Sequence, residues 1–297
     1  MTDELRSTVI VVTWRGRAHL GDCLDALAAQ VRPHRVLVVD NASDDGTAAL
    51  LAGRGAQVLR LPRNLGYAGG IAAALPDVDT PYVAWLNDDA APEPGWLAEL
   101  EDALDGGAAA AASVLRAPDG RVQSTGVRLT ADGHGADTTG EEVFGFCGGA
   151  VLLRTDALRR VGGVPAGFFC YYEDTDTAWR LRLAGLRIAT TSATATHLHG
   201  ASTHPGSARF HRWNERNRLV TLLRCAPLPV AVGQLARFAA VTALLPFRRL
   251  AEPPANFRTG LRLRVLAEVG ARLPGALLAR RRITGARRAV WERWAGR

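Results

Sequence analysis

Residues 35–47 read RVLVVDNASDDGT, an unbroken apolar run that stops in a cluster of Asp, Asn, Ser and Gly. A run with no polar alternation predicts a strand covered on both faces, as in a parallel sheet. Upstream, residues 7–13 (STVIVVT) repeat the pattern and stop at Thr13-Trp14-Arg15; downstream, residues 81–86 (PYVAWL) repeat it and stop at Asn87-Asp88-Asp89. Helical spacing over 18–30, a helix from Thr47 and a short strand at 57–61 fill the intervals. Strands alternating with helices predict an α/β fold with a mostly parallel, Rossmann-like sheet flanked by helices. Ligands of such sheets bind beyond the carboxyl ends of the strands, where all three polar clusters fall. Any one cluster is accounted for as a turn, and turn chemistry explains most of the letters of DNASDDGT. Three of them at three strand ends point to a site.

The chain has 297 residues, 47% hydrophobic and 22% charged, enough for one large globular domain or two smaller ones. Its cysteines, Cys23, Cys147, Cys170 and Cys225, are widely spaced and form no CxxC pair, as expected of reduced thiols in a cytoplasmic protein. The N-terminal MTDELRSTVIVVTW carries acids where a secretory signal carries basic residues, so export is not expected. No lysine is present, and the arginines are uneven. Residues 1–247 hold 23 Arg against 26 Asp and Glu, a balance of −3, whereas residues 248–297 hold 13 against 3, a balance of +10. A basic, helical C-terminal extension (225–297) is thereby set apart from a first domain at 1–224.

Between 108 and 143 the pattern weakens to short strand-like pieces, AASVLR and GRVQSTGVRL. FGFCGGAVLLR (144–154) returns to an apolar strand interrupted by Gly148 and Gly149, which suggests a bulge or a backbone that something approaches closely. Residues 168–185, FFCYYEDTDTAWRLRLAG, then crowd four aromatic residues against Glu173, Asp174 and Asp176. A helix from about Thr175 would turn Trp179, Leu181, Leu183 and Leu186 inward and Arg180, Arg182 and Arg187 outward, ending near Gly185. One carboxylate suffices to cap such a helix and suit its dipole. Three of them beside Tyr171 and Tyr172 also suit a base, because apolar surroundings raise a carboxylate pKa. A further strand at 187–191 leads to His197-Leu198-His199-Gly200. A carboxylate pair at a strand end and a distant histidine can together hold a hard divalent cation, Mg²⁺ or Mn²⁺, with a nucleotide diphosphate completing the shell. Loop histidines without a ligand role are the plainer alternative.

The segments VIVVTWRG, VLVVDNASDDGT, RNLGYAGG, VAWLNDDA, GFCGGAVLLRTDAL, FFCYYEDTDTAWRLRLAG, THLHGAS and RWNERNRL follow one another over residues 8 to about 224. In order and spacing they resemble the nucleotide-sugar-dependent glycosyltransferases of family 2 with the GT-A fold, especially bacterial rhamnosyltransferase-like members. The resemblance implies an inverting transfer of a sugar, L-rhamnose among the candidates, from a nucleotide-sugar donor to the hydroxyl of a glycan or lipid-linked acceptor, with a divalent cation. It implies donor contacts from Thr13, Trp14, Asp40, Asn41, Arg63, Asn64, Gly66, Gly69 and Asp88, and metal ligation by Asp89 and His197. Asp174 takes the place of the general base. Gly148, Gly149, Glu173, Asp176, Arg216, Asn217 and Arg218 fall on the acceptor or diphosphate side. Two positions depart from the family's pattern: Asn87 opens the DxD-like motif, and Ile71-Ala72-Ala73-Ala74 follows Gly69-Gly70 where relatives often carry an asparagine.

Residues 228–247 are about long enough to span a bilayer, but Gln234, Arg237, Pro229 and Pro246 count against it. With Arg248-Arg249, Arg280 to Arg282, Arg287-Arg288, Trp291 and Trp294, the tail suits helices lying on an anionic membrane surface, a helical cap, or a solvated basic end. Arginines at this density also serve nucleic-acid binding, but no nucleic-acid motif accompanies them, so no such partner is expected. A non-catalytic nucleotide-sugar-binding relative is the other alternative, and Asp89, Asp174 and His197 together speak against it.

Overall fold

A computed structural model of the chain describes residues 5–198, 206–248 and 253–296; His199 and Gly200 lie outside them. The first half alternates as the patterning predicts: β1 (Ser7–Thr13), α1 (Leu20–Ala28), β2 (His34–Asp40), α2 (Thr47–Gly53), β3 (Gln57–Arg60), α3 (Gly66–Ala74) and β4 (Tyr82–Asn87). β1 is buried at every residue because both its faces are covered. Val9 and Val11 join a core with Leu20, Leu24 and Leu27 of α1, while Ile10 and Val12 join a second core with Ile71 and Ala74 of α3. The parallel registers Thr13↔Asp40 and Val12↔Asn87 bring the carboxyl ends of β1, β2 and β4 level.

The chain continues through β5 (Ala90–Pro92), α4 (Trp96–Asp105), β6 (Ala110–Arg116), β7 (Val122–Ser124), β8 (Gly126–Leu129), β9 (Gly135–Thr138), β10 (Ala150–Arg154), α5 (Thr155–Arg160), α6 (Glu173–Leu183) and β11 (Ile188–His197). The main sheet has the order β3-β2-β1-β4-β10-β6-β11-β5, with β7 added to β6, and β8 and β9 form a separate hairpin. β10 runs antiparallel between β4 and β6, and β6 and β11 are parallel. The strand expected over 144–154 is confined to β10. Phe144 and Phe146 leave the sheet plane to pack edge-on against Trp179 and Trp85, which frees residues 147–149 to form a loop at the end of β4.

Among the described residues, four α-helices follow β11: α7 (Ala208–Cys225), α8 (Leu228–Leu244), α9 (Thr259–Arg282) and α10 (Arg287–Trp294). Val265, Val269, Ala276 and Trp294 enter the same core as Leu219, Leu222 and Leu223 of α7. Arg212 and Arg216 pair with Glu268, and Arg280 donates to the carbonyls of Leu223 and Ala226. The tail is therefore packed onto the sheet domain, not a solvated end. Two arginines expected to face outward are also inside. Arg180 is buried against Asp176, and Arg182 donates to the carbonyls of Val143 and Phe144 while lying over the ring of Trp294.

Candidate active site

The level ends of β1, β2 and β4 form the floor of a cavity of about 980 Å³, where Trp14, Asn41 and Asn87-Asp88-Asp89 meet. Asn41 ties this floor to the neighbouring loop: its side chain accepts from the Leu65 N–H at 2.8 Å and donates to the Gly66 carbonyl at 3.0 Å. Asn64 and Gly66 thereby reach the wall. Gly66 has φ = 74°, and a side chain there would come within 2.1 Å of the Phe169 carbonyl oxygen, so only glycine lets these loops touch. Gly16 does similar work under Asp88, since a Cβ there would lie 2.3 Å from Asp88 Oδ2 and from Thr13 Oγ1. His19 Nε2 stands 3.5 Å from the same Asp88 oxygen, which raises the histidine's pKa.

Across the floor, β11 brings His197 to Asp89, with Nε2 and Oδ1 3.2 Å apart and both side chains nearly buried. Asn87 Nδ2 is 3.1 Å from the same nitrogen. Gln123 of β7 holds the ring from behind: its Oε1 lies 3.0 Å from His197 Nδ1 and its Nε2 donates to the His197 carbonyl at 2.8 Å. An amide oxygen can only accept, so Nδ1 carries a proton toward Gln123, and Nε2 is turned to Asp89. Burial disfavours the Asp89 charge, but the hydrogen bond with His197 and the nearby His197 and His19 charges outweigh it and hold the pKa below its ordinary value. Among the described residues no group of three or more His, Cys, Asp or Glu could hold a metal ion by itself. The Asp89–His197 pair fits a cation that draws its remaining ligands from a diphosphate.

The opposite wall is the aromatic loop and the first turn of α6. Phe169, Tyr171 and Tyr172 all have φ = 69°, a left-handed conformation that costs an aromatic residue free energy and persists only when its surroundings impose it. α7 imposes it. Asn217 Nδ2 donates to the carbonyls of Phe168, Cys170 and Tyr171 at 3.0, 2.9 and 2.8 Å, and Arg216 adds a second bond to Phe168. The Ala68 N–H donates to the Phe169 carbonyl from the other side. Phe169 packs on Trp213 and Tyr171 on Phe210, with ring centroids 4.7 and 5.1 Å apart.

This loop delivers Glu173 and Asp174 into the cavity. Asp174 Oδ2 accepts from the Gly148 N–H at 3.0 Å and Oδ1 from Thr175, while Tyr67 fixes the Gly148 carbonyl at 2.6 Å. Burial raises the pKa of Asp174 despite these bonds, and the Asp137 charge adds to the effect. Glu173 is pushed up to about 8 by burial and by the charge of Asp174, and its Oε2 is buried with no hydrogen-bond partner. Of the two, Asp174 is the one held by backbone N–H groups, from Gly148 and Thr175.

Of the residues singled out in the sequence, Trp14, Asn41, Asn64, Gly66, Asp88, Asp89, Gly148, Gly149, Glu173, Asp174 and His197 line one cavity. Others stand behind it. Asp176 is two residues past Asp174, about 200° around the helix, and is wholly buried against Arg180 and Arg224 at 2.7 and 2.9 Å. Arg216 and Asn217 clamp the aromatic loop from outside, and Arg218 pairs with Glu215 and donates to the Asp132 carbonyl. Thr13, Asp40 and Gly69 are buried below the floor, Asp40 accepting from the Ser43 N–H, and Arg63 is exposed outside the cavity. Gln123, Asp137, Phe210 and Trp213 line the cavity without having been singled out for it. Trp213 carried a signal, as it falls within RWNERNRL; Gln123 carried none, because its partner is 74 positions away.

The glycosyl transferase family 2 profile matches residues 8–162, which hold all three strand ends. The chain belongs to this family. It is a nucleotide-sugar-dependent glycosyltransferase with a GT-A fold, and its C-terminal helices are packed on that fold. It is 30% identical over 243 residues to the N-acetylglucosaminyl-diphospho-decaprenol L-rhamnosyltransferase of Mycobacterium tuberculosis, covering 68% of this chain and 78% of the relative. Among solved structures it resembles the mannosyltransferase PcManGT of Pyrobaculum calidifontis, in complex with GDP-Man and Mn²⁺, with a TM-score of 0.57, 21% identity and coverage of 92% and 88%. TarS 1-349 of S. aureus in complex with UDP-GlcNAc gives a TM-score of 0.57 at 20% identity, with coverage of 97% and 91%. At such identities the structural likeness establishes the fold.

Proposed function

We propose that this glycosyltransferase inverts the anomeric centre of its donor, that Asp174 is its base, and that it transfers L-rhamnose to a saccharide carried on a polyprenyl diphosphate. The observation that carries the chemistry is the buried Glu173–Asp174 pair facing Asp89 and His197 across one cavity. The acceptor O–H gives its proton to the Asp174 carboxylate as the oxygen bonds to the anomeric carbon. The bond from that carbon to the diphosphate oxygen breaks on the far side, and the electron pair leaves with the diphosphate. Gly148 and Thr175 orient the carboxylate, and burial makes it more basic than an exposed one. Asp89 and His197 would hold Mg²⁺ or Mn²⁺, which when bound supplies positive charge for the departing diphosphate. Trp14, Asn41, Asn64 and Asp88 would contact the donor. Asp176, Arg216, Asn217 and Arg218 serve by positioning the loop that carries the base.

The finer identity of the substrates is supported by the name of the mycobacterial relative. Such an acceptor gives the enzyme a cytoplasmic station at a membrane. Asp174→Asn is expected to lower turnover by about 10² to 10⁴, with nucleoside diphosphate affinity by calorimetry unchanged. Full turnover in a folded variant would transfer the base role to Glu173, since Asp176 has no access to the cavity. Nucleoside diphosphate binding without hydrolysis or transfer of any nucleotide sugar would instead support a non-catalytic relative.

A further inference from the structure

We infer that the outer face of α8 is a docking surface for an anionic lipid bilayer and that it meets the bilayer with the end nearest the cavity. The segment Leu228–Phe247 is long and apolar enough to cross a membrane, yet only 22% of its most apolar window is buried. Ala231, Phe238 and Thr242 hold it on the protein. Among the residues left outside, Leu228, Val232, Ala236, Ala240, Leu244 and Phe247 recur at intervals of three and four and so form an apolar ridge. Phe247 is 82% exposed and Leu244 56%. On a monomer in water a ridge of this kind is a cost unless something covers it.

The charge around the ridge identifies the occupant. Arg237, Arg248, Arg258, Arg281 and Arg282 are exposed on or beside α8 and α9. Among the described residues from 228 to 282 the one acid is Glu268, which is already held by Arg212, Arg216 and Arg264. An apolar ridge rimmed by uncompensated arginines matches a leaflet of acyl chains under anionic headgroups, and arginine stems reach outward from such depth.

The packing also gives the ridge a direction. Arg212 and Arg216 meet Glu268, and Arg280 meets Leu223 and Ala226, so α9 runs alongside α7 in the same sense. Arg262, six residues before Glu268, donates to Thr242 Oγ1 at 3.0 Å and to the Phe238 carbonyl at 3.1 Å. The C-terminal end of α8 therefore lies toward the first turn of α7, where Arg209 and Phe210 line the cavity. A bilayer against Leu244 and Phe247 would bring that mouth toward the lipid headgroups. The inference rests on this geometry and not on the identity of the donor.

The test is sedimentation of the full chain with phosphatidylglycerol vesicles and with phosphatidylcholine vesicles, at low and high salt. Expected are pelleting with the anionic vesicles, weakening with salt, and loss of most of the pelleted fraction in Leu244→Glu/Phe247→Glu. The variant's melting temperature and nucleoside diphosphate affinity should match the parent, so a failed donor assignment is distinguishable from failed docking. If the double variant melts early, Phe247→Glu alone, at a side chain with almost no burial to lose, carries the test. Retention of the parent in the supernatant, or equal pelleting of parent and variant, overturns the inference. A lipid-free dimer dissolved by the same substitutions also overturns it, and makes the ridge a self-association surface.

Discussion

At the scale of the residue, the decisive feature is two adjacent acids in unlike settings. Asp174 is bonded by backbone N–H groups; Glu173, with one oxygen unpartnered, is pushed up to about 8 by burial and the Asp174 charge. That division has a cost measurable without any substrate. A carboxyl whose folded pKa lies above its unfolded value of 4.5 leaves stability intact below that value and removes it as pH rises through about 8. Glu173→Gln removes this titration while keeping the shape. Its melting temperature should therefore gain on the parent steadily between pH 4.5 and 8, the gap then levelling off. Thermal melts of both proteins across that range would show it, and parallel curves would mean that Glu173 ionises freely in the folded state.

At the scale of the element, the site is a junction of strand ends. β4 delivers Asp89, β11 delivers His197, and β7, a strand of only three residues, delivers the glutamine that fixes the histidine's proton. Partners behind a metal-binding histidine are typically worth 10- to 100-fold in affinity. Gln123→Ala should lose about that much of the Mn²⁺-dependent binding of a nucleoside diphosphate and none of the binding measured with chelator. Calorimetry under both conditions checks this, and parental affinity in Mn²⁺ would show that the clamp has no weight. The three strand ends were legible because β1, β2 and β4 are covered on both faces and stop in turn-forming polar residues. The acids of α6 were legible as a group, but not which of them turns inward, since two positions along a helix reverse the direction of a side chain. Asn217 and Arg216 could not be read as clamps, because the carbonyls they hold, on a backbone with three residues at positive φ, appear only once α7 is folded against the loop.

At the scale of the whole molecule, the tail belongs to the catalytic body. The charge pattern sets an extension apart from 225 onward, as if it could be removed. The packing argues otherwise, because Val265, Val269, Ala276 and Trp294 fill one core with α7. Each large buried side chain contributes about 1.5–3 kcal/mol, and a domain's whole stability is only about 5–15 kcal/mol. Deleting 248–297 should therefore abolish cooperative unfolding as well as activity. Trp294→Ala, which empties the space against Phe144 and beneath Arg182, should cost about 3 kcal/mol, read from denaturant titration. A truncated chain that melts cooperatively would restore the separable extension. Glu268 grips the two arginines of α7 on either side of Trp213, and α7 in turn holds the loop that aims Asp174. In genetic terms, the coding sequence beyond the last cavity residue, Asn214, is not spare: a stop codon there would erase chemistry whose residues are all encoded upstream of it.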